Sequence, residues 1–90
     1  MFLATTTVED FDRWMNVFTT TSAEKRKKHG SKGSMVFRDP QQADRVWVIF
    51  DWDEKGFQSF ATDPDVAPIL KEAGHKSRPQ TLALAGSCGA

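Results

Sequence analysis

A single cysteine, Cys88, lies near the C-terminus of this 90-residue chain, so neither an intramolecular disulfide nor a multi-cysteine metal site is available. No stretch of eighteen apolar residues occurs, and no charged-then-apolar leader runs into a cleavage site, so no transmembrane segment or signal peptide is expected and the cytoplasm is the default compartment. Twelve basic and twelve acidic side chains cancel to a formal charge of +0, which argues against nucleic acid or an anionic membrane as the main partner. There is no Gly-rich phosphate loop, nucleophile elbow or Ser/His/Asp spacing. The two histidines, His29 and His75, form no His-x-x-x-His pair, so no metal is expected. Neither falls on an apolar stripe, which argues against haem as well.

What the chain has is aromatic bulk. Seven Phe and three Trp carry enough buriable area for a packed core in one small domain, although a core of this size favours association with a further copy. The densest run is Arg45-Val46-Trp47-Val48-Ile49-Phe50-Asp51-Trp52, rich in β-branched and aromatic residues and apolar on both alternating faces. It reads as a fully buried strand. Trp47 and Trp52 have opposite parity, so one faces into the subunit and the other away from it.

The remaining elements follow from local chemistry. Met1 to Thr7 is short, apolar and Thr-rich, a strand. Thr7 with Asp10 resembles a capping box, predicting a helix from about Val8 with Phe11, Trp14, Met15 and Phe18 along one face. The Thr19-Thr20-Thr21-Ser22 run predicts a break, with Ser22 capping a further turn that ends at Gly30. Lys25, Arg26, Lys27 and Lys28 then read as a solvated helix end matched to the helix dipole, with an anion site as the lesser alternative.

Ser34 to Arg38 is a second strand, closed by Asp39-Pro40 and joined by a hairpin to the Trp47 strand, the two forming the centre of the sheet. Asp53 caps a helix that turns Phe57, Phe60 and Ala61 inward, with Gly56 a mild weakness. Asp63-Pro64 interrupts that helix, and Val66, Ile69, Leu70 and Ala73 form a second stripe ending at Gly74. Thr81 to Ala85 is a last strand, and residues 86–90 form a small-residue tail, mobile or engaged in a dimer.

The order β, α, β, β, α, β predicts one α+β domain over residues 1–90, a ferredoxin-like βαββαβ sandwich with an antiparallel sheet and both helices on one face. The other sheet face is then aromatic and uncovered, which implies a homodimer.

With these elements in place, the chain resembles the dimeric α/β-barrel superfamily, and in particular small proteins of the antibiotic biosynthesis monooxygenase-like group. The resemblance rests on Val8-Glu9-Asp10-Phe11-Asp12-Arg13-Trp14 with Phe18, Val36-Phe37-Arg38-Asp39-Pro40, Val46 to Trp52, and Asp63-Pro64 through Ala73-Gly74. It implies a homodimer with sheets packed face to face and a ligand cavity between sheet and helices in each subunit. Members include cofactor-independent oxygenases of polycyclic aromatic polyketides, lactone isomerases, haem-degrading enzymes and polyketide cyclases. This chain departs from the oxygenases in having no Tyr.

Among residues able to carry chemistry, His75 sits just before the last strand, at the expected cavity rim, where an imidazole can move a proton. The ordinary alternative is an exposed helix-end histidine, and His29 has the same ordinary explanation. Trp14, Phe18, Trp47, Trp52, Phe57 and Phe60 would wall an aromatic-ligand pocket or simply form core. Arg38 would pair with Asp51 or Asp39, or bind a ligand carboxylate or enolate. The expected function is a small enzyme, monooxygenase-like or an isomerase or cyclase, acting without metal or organic cofactor on a hydrophobic aromatic or enolisable metabolite. The alternative is a non-catalytic homodimer that binds a small apolar ligand or serves in a stress response.

Overall fold

The computed structural model describes all residues from Met1 to Ala90. Strand β1 (Phe2–Thr7) is followed by helices α1 (Phe11–Thr19) and α2 (Thr21–Lys28), strands β2 (Gly33–Arg38) and β3 (Arg45–Asp51), helices α3 (Glu54–Thr62) and α4 (Ala67–Ala73), and strand β4 (Gln80–Ala83). The sheet order is β2-β3-β1-β4, every neighbouring pair antiparallel. This is the ferredoxin-like α+β fold, with each expected helix divided in two. The hairpin of β2 and β3 forms as expected, but the centre of the sheet is β3 with β1, and β2 is an edge. β3 inserts between β1 and β2 because the α1–α2 connection crosses over the sheet while the hairpin folds back beside it.

Alternation on the two central strands sorts the chain into faces. Phe2, Ala4, Val46, Val48 and Phe50 are buried beneath the helices, and Trp52, just past β3, joins them. Trp14 and Val17 descend from α1, Phe60 from α3 and Ala73 from α4. Ala61, expected inside, is exposed, because it lies about 100° around the helix from Phe60, on the solvent side of the stripe that Phe57 and Phe60 form. On the opposite face, Met35, Ile49, Leu3 and Leu82 stand in one row across all four strands, with Phe37 and Trp47 paired in the next. Met35, Phe37 and Leu82 are more than half exposed there.

Caps explain where the helices begin. Asp10 caps α1 by accepting from the Arg13 amide at 3.1 Å, so the helix starts at Phe11, and Thr7 is held in the sheet instead. Thr20 closes α1 and opens α2, the position expected of Ser22. Asp53 caps α3 through the Gly56 amide, as its sequence position implies. Gly74 ends α4 in the left-handed conformation, φ 79°, where a side chain is disfavoured.

Gly56 is more than a weak point in α3. A Cβ there would lie 2.6 Å from the His29 carbonyl oxygen and overlap the Trp52 indole nitrogen, and these two atoms are joined by a hydrogen bond of 2.9 Å. The missing side chain lets the first turn of α3 sit on that bond. Helix propensity favours alanine at this position by about 1 kcal/mol, whereas forcing a methyl into a packed contact costs about 1–3 kcal/mol. Gly56→Ala is therefore expected to lower the urea midpoint despite its better propensity, and a raised midpoint would show that the contact yields freely.

Candidate functional site

Between the sheet and the helices lies a cavity with about 70 Å3 of room for the centres of water-sized molecules. Ala4, Thr6, Val46, Val48 and Phe50 form its floor, supplied by the inward parity of the two central strands. Trp14 and Phe18 cover it from α1, stacked with ring centroids 4.7 Å apart. Trp52, Phe57 and Phe60 form the far wall, and Leu70 and Ala73 of α4 complete the roof. Eleven of its seventeen lining residues are hydrophobic, and no carboxylate is among them. An apolar chamber with a few polar groups is the usual form of a small-molecule site.

Thr6, Ser22, Arg26 and His75 supply most of the polarity. His75 follows the Gly74 turn and is locked against the end of β1 by backbone bonds on either side of it, Glu9 amide to Gly74 carbonyl at 2.9 Å and Lys76 amide to Thr7 carbonyl at 2.8 Å. Its Nδ1 lies 3.2 Å from the Thr6 hydroxyl, which is also 3.1 Å from the Ser77 carbonyl. A hydroxyl has one proton to give and a carbonyl only accepts. Thr6 therefore donates to Ser77, and Nδ1–H donates to Thr6. The lone pair is left on Nε2, which has no protein partner. Burial holds the His75 pKa below the ordinary histidine value, because the charged imidazolium is poorly solvated there. The combination is a neutral imidazole with an available acceptor.

The structure brings His75, Trp14, Phe18, Trp52 and Phe60 together in this cavity and leaves two other candidates outside it. Trp47 lies on the opposite sheet face, its indole N–H donating to Asp39 at 3.1 Å, the outcome of its odd parity against Trp52. Arg38 stands at the sheet edge with its guanidinium 4.3 Å over the Phe11 ring and its Nε–H donating to the Ala43 carbonyl. It pairs with neither Asp39 nor Asp51.

Two residues of the basic stretch also differ from expectation. Arg26, read as part of a solvated helix end, is only 6% exposed and borders the cavity, since the break at Thr20 swings α2 so that this side chain points inward. His29 is not a free helix-end histidine: its Nε2 lies 2.9 Å from an Asp63 oxygen, and this hydrogen bond holds the Asp63 carboxyl below its usual range. Thr6 and Ser22 also escaped sequence reading. The spacing of Ser22 and Arg26, one helical turn apart, was the available signal. No group of three or more His, Cys, Asp or Glu side chains converges anywhere in the chain, and no helix is long and apolar enough to cross a membrane.

No family model matches the chain, and no curated protein matches it in sequence. Solved structures do match its fold. SnoaB, a cofactor-independent oxygenase from Streptomyces nogalater, superposes with a TM-score of 0.74 over 99% of this chain and 95% of its own, at 18% identity. A conserved protein from Methanosarcina mazei Go1 gives 0.64 over 90% and 85% at 15% identity. A further structure, an antibiotic biosynthesis monooxygenase, gives 0.61 over 97% of both chains at 11% identity. The shared feature is the whole fold, end to end.

The burial of His75 predicts a pH dependence. Its folded pKa lies below the unfolded value of 6.5, so the unfolded chain binds the proton more readily, and stability present above that value is lost as pH falls through it towards the folded pKa. The lowered carboxyls of Asp39, Asp44 and Asp63 act only below 3.8. Urea midpoints at about pH 7.5 and about pH 5.5 should therefore differ more for the wild type than for His75→Gln. Equal differences in the two proteins would remove His75 as the cause.

Proposed function

We propose that this chain is a small cofactor-independent enzyme that takes a hydrophobic aromatic or enolisable metabolite into the cavity and uses His75 as its proton-transfer group. The observation that carries this reading is His75 in the cavity wall, its Nδ1 3.2 Å from the Thr6 hydroxyl and its ring held neutral by burial. A passive binding module would need the same chamber, and it is the histidine in the chamber wall that favours catalysis. Trp14 and Trp52 offer flat surfaces on which a ring can rest.

In this reading Nε2 takes a proton from an acidic C–H or a phenolic O–H and leaves an enolate or phenolate in the apolar chamber. That anion is common to three outcomes. Return of the proton to another carbon is isomerisation, and attack on an internal carbonyl is cyclisation. In oxygenation the electron-rich ring is the oxidised partner and O2 the reduced one, one oxygen becoming the product carbonyl and the other leaving as water. The fold shared with SnoaB, a cofactor-independent oxygenase, supports the monooxygenase-like member of this set.

We further propose that the working unit is a homodimer joined through the uncovered sheet face. The row Met35, Ile49, Leu3 and Leu82, with Phe37 and Trp47 beside it, carries no charge along its centre. A two-fold axis through it would pair each residue with the same patch on a second copy, and sheets stacked in this way pack about 10 Å apart.

His75→Ala and wild-type protein should both bind members of a panel of hydroxylated aromatics and lactones by ligand-observed NMR, while turnover in the same tubes falls by about 10²–10⁴-fold in the variant. Binding without turnover in the wild type across the panel would favour the non-catalytic reading. For assembly, light scattering should give twice the 10.1 kDa chain mass for wild type and a monomer for Phe37→Glu combined with Met35→Lys. A wild-type monomer at micromolar concentration would sink the dimer.

A further inference from the structure

Arg26 is a cation inside the protein without a counter-charge. Its Nη1 donates to the Ser22 hydroxyl at 3.0 Å and its Nη2 to the Phe18 carbonyl at 2.9 Å. Its guanidinium lies 3.6 Å from the centre of the Phe18 ring. None of the four ion pairs of the chain includes it, and no Asp or Glu lines the cavity that it borders. These contacts engage two of the five N–H groups of a guanidinium and neutralise none of its charge. Every fully buried polar side-chain atom has a partner, so Nε, which makes no hydrogen bond, is not fully buried, and Arg26 is among the residues that line the cavity.

A guanidinium used only to staple α2 onto α1 would gain from a carboxylate beside it, and the chain has twelve Asp and Glu from which none is placed there. Burial alone already lowers its pKa to about 10, yet it stays charged at neutral pH. The fold thus keeps a positive site at one end of an otherwise apolar chamber. His75 belongs to the other end. Phe18, under Arg26, lies 6.1 Å from Phe50, whereas Thr6, which holds His75, pairs with Val46. Phe50 and Val46 are four residues apart on β3, on the order of 13 Å.

We propose that Arg26 is the anion anchor of this cavity, and that its ligands are flat apolar carboxylates held with the carboxylate on Arg26 and the opposite end of the molecule towards His75. This deepens the proposed function and rests on the same cavity. Arg26 fits a carboxylate through its planar fork, and the low polarity of the chamber strengthens the charge-assisted bonds. The anchor would present a constant orientation to Nε2. A neutral analogue of the same shape would still enter, with no preferred direction.

The test uses the matched probes 2-naphthoate and 2-naphthamide. Wild-type protein should bind the carboxylate at least about tenfold more tightly than the amide by titration calorimetry. Arg26→Met, which keeps a side chain against Phe18, should retain the amide and lose the ratio. Arg78→Met, in a separate surface groove on the other side of His75 from which Arg26 is absent, should keep it. A ratio near one in the wild type, or one that survives in Arg26→Met, overturns the anchor while leaving the cavity reading intact. If neither probe binds the wild type, the cavity reading falls and the anchor with it. Should Arg26→Met fail to fold, the wild-type Arg26 Nε–H resonance decides: it must shift with 2-naphthoate and stay with 2-naphthamide, and an unmoved resonance under both overturns the proposal.

Discussion

The hydrogen bond from the Trp52 indole to the His29 carbonyl, 2.9 Å long, is the constraint on which the helical layer depends. A buried indole N–H must find an acceptor, and this one finds it at the end of α2. The same ring meets Phe2, Phe50, Phe57 and Phe60 at centroid distances between 5.4 and 6.2 Å. His29 then reaches Asp63 at the corner between α3 and α4. One residue beyond β3 therefore links the end of α2, the start of α3 and the turn before α4. Gly56 is the condition that lets these parts approach.

The cavity follows from that arrangement. Trp52 and Phe60 are pinned to the far wall by their mutual edge contact and by the indole bond, so they cannot collapse onto Trp14 and Phe18 across the chamber. At the near end the segment from Gly74 to Ser77 is stitched to β1 by backbone bonds and by the hydroxyls of Thr6 and Thr7, the latter 2.7 Å from the Ser77 hydroxyl. This accounts for Thr6 and Thr7 of β1, while the Thr5 hydroxyl bonds the neighbouring strand at Val46 and Arg45. Aliphatic residues of similar size would fill the same strand but could not hold a histidine by its ring nitrogen.

Elements governed by short-range rules were legible in the sequence. The density of β3, the opposite parity of Trp47 and Trp52, the break in the hydroxyl run and the stop at Gly74 each depend on neighbours a few residues away. What depended on distant partners was not. Thr6 and His75 are 69 positions apart, and nothing local to either announces the other. Arg26 shows the same limit more sharply: within its own helix, four basic residues in a row satisfy the dipole, and only the angle at Thr20 turns one of them inward. The edge position of β2 likewise follows from how the crossover passes over the sheet, which no property of Ser34 to Arg38 specifies. Ordinary cap chemistry was misplaced by three residues at α1 because Thr7 and Asp10 both qualify, and the sheet claims Thr7.

The pleat of β3 has an evolutionary corollary. Val46, Val48 and Phe50 line the chamber while Trp47 and Ile49 lie on the uncovered face, so a single stretch encodes two surfaces interleaved residue by residue. Point changes on one parity leave the other untouched, and the two surfaces can drift independently. Insertions and deletions have no such freedom, because a shift of one position exchanges the two sets wholesale. Divergence in this segment is therefore confined to substitution at constant length, and length variation is diverted to the turn at residues 39–44 and to the chain beyond β4.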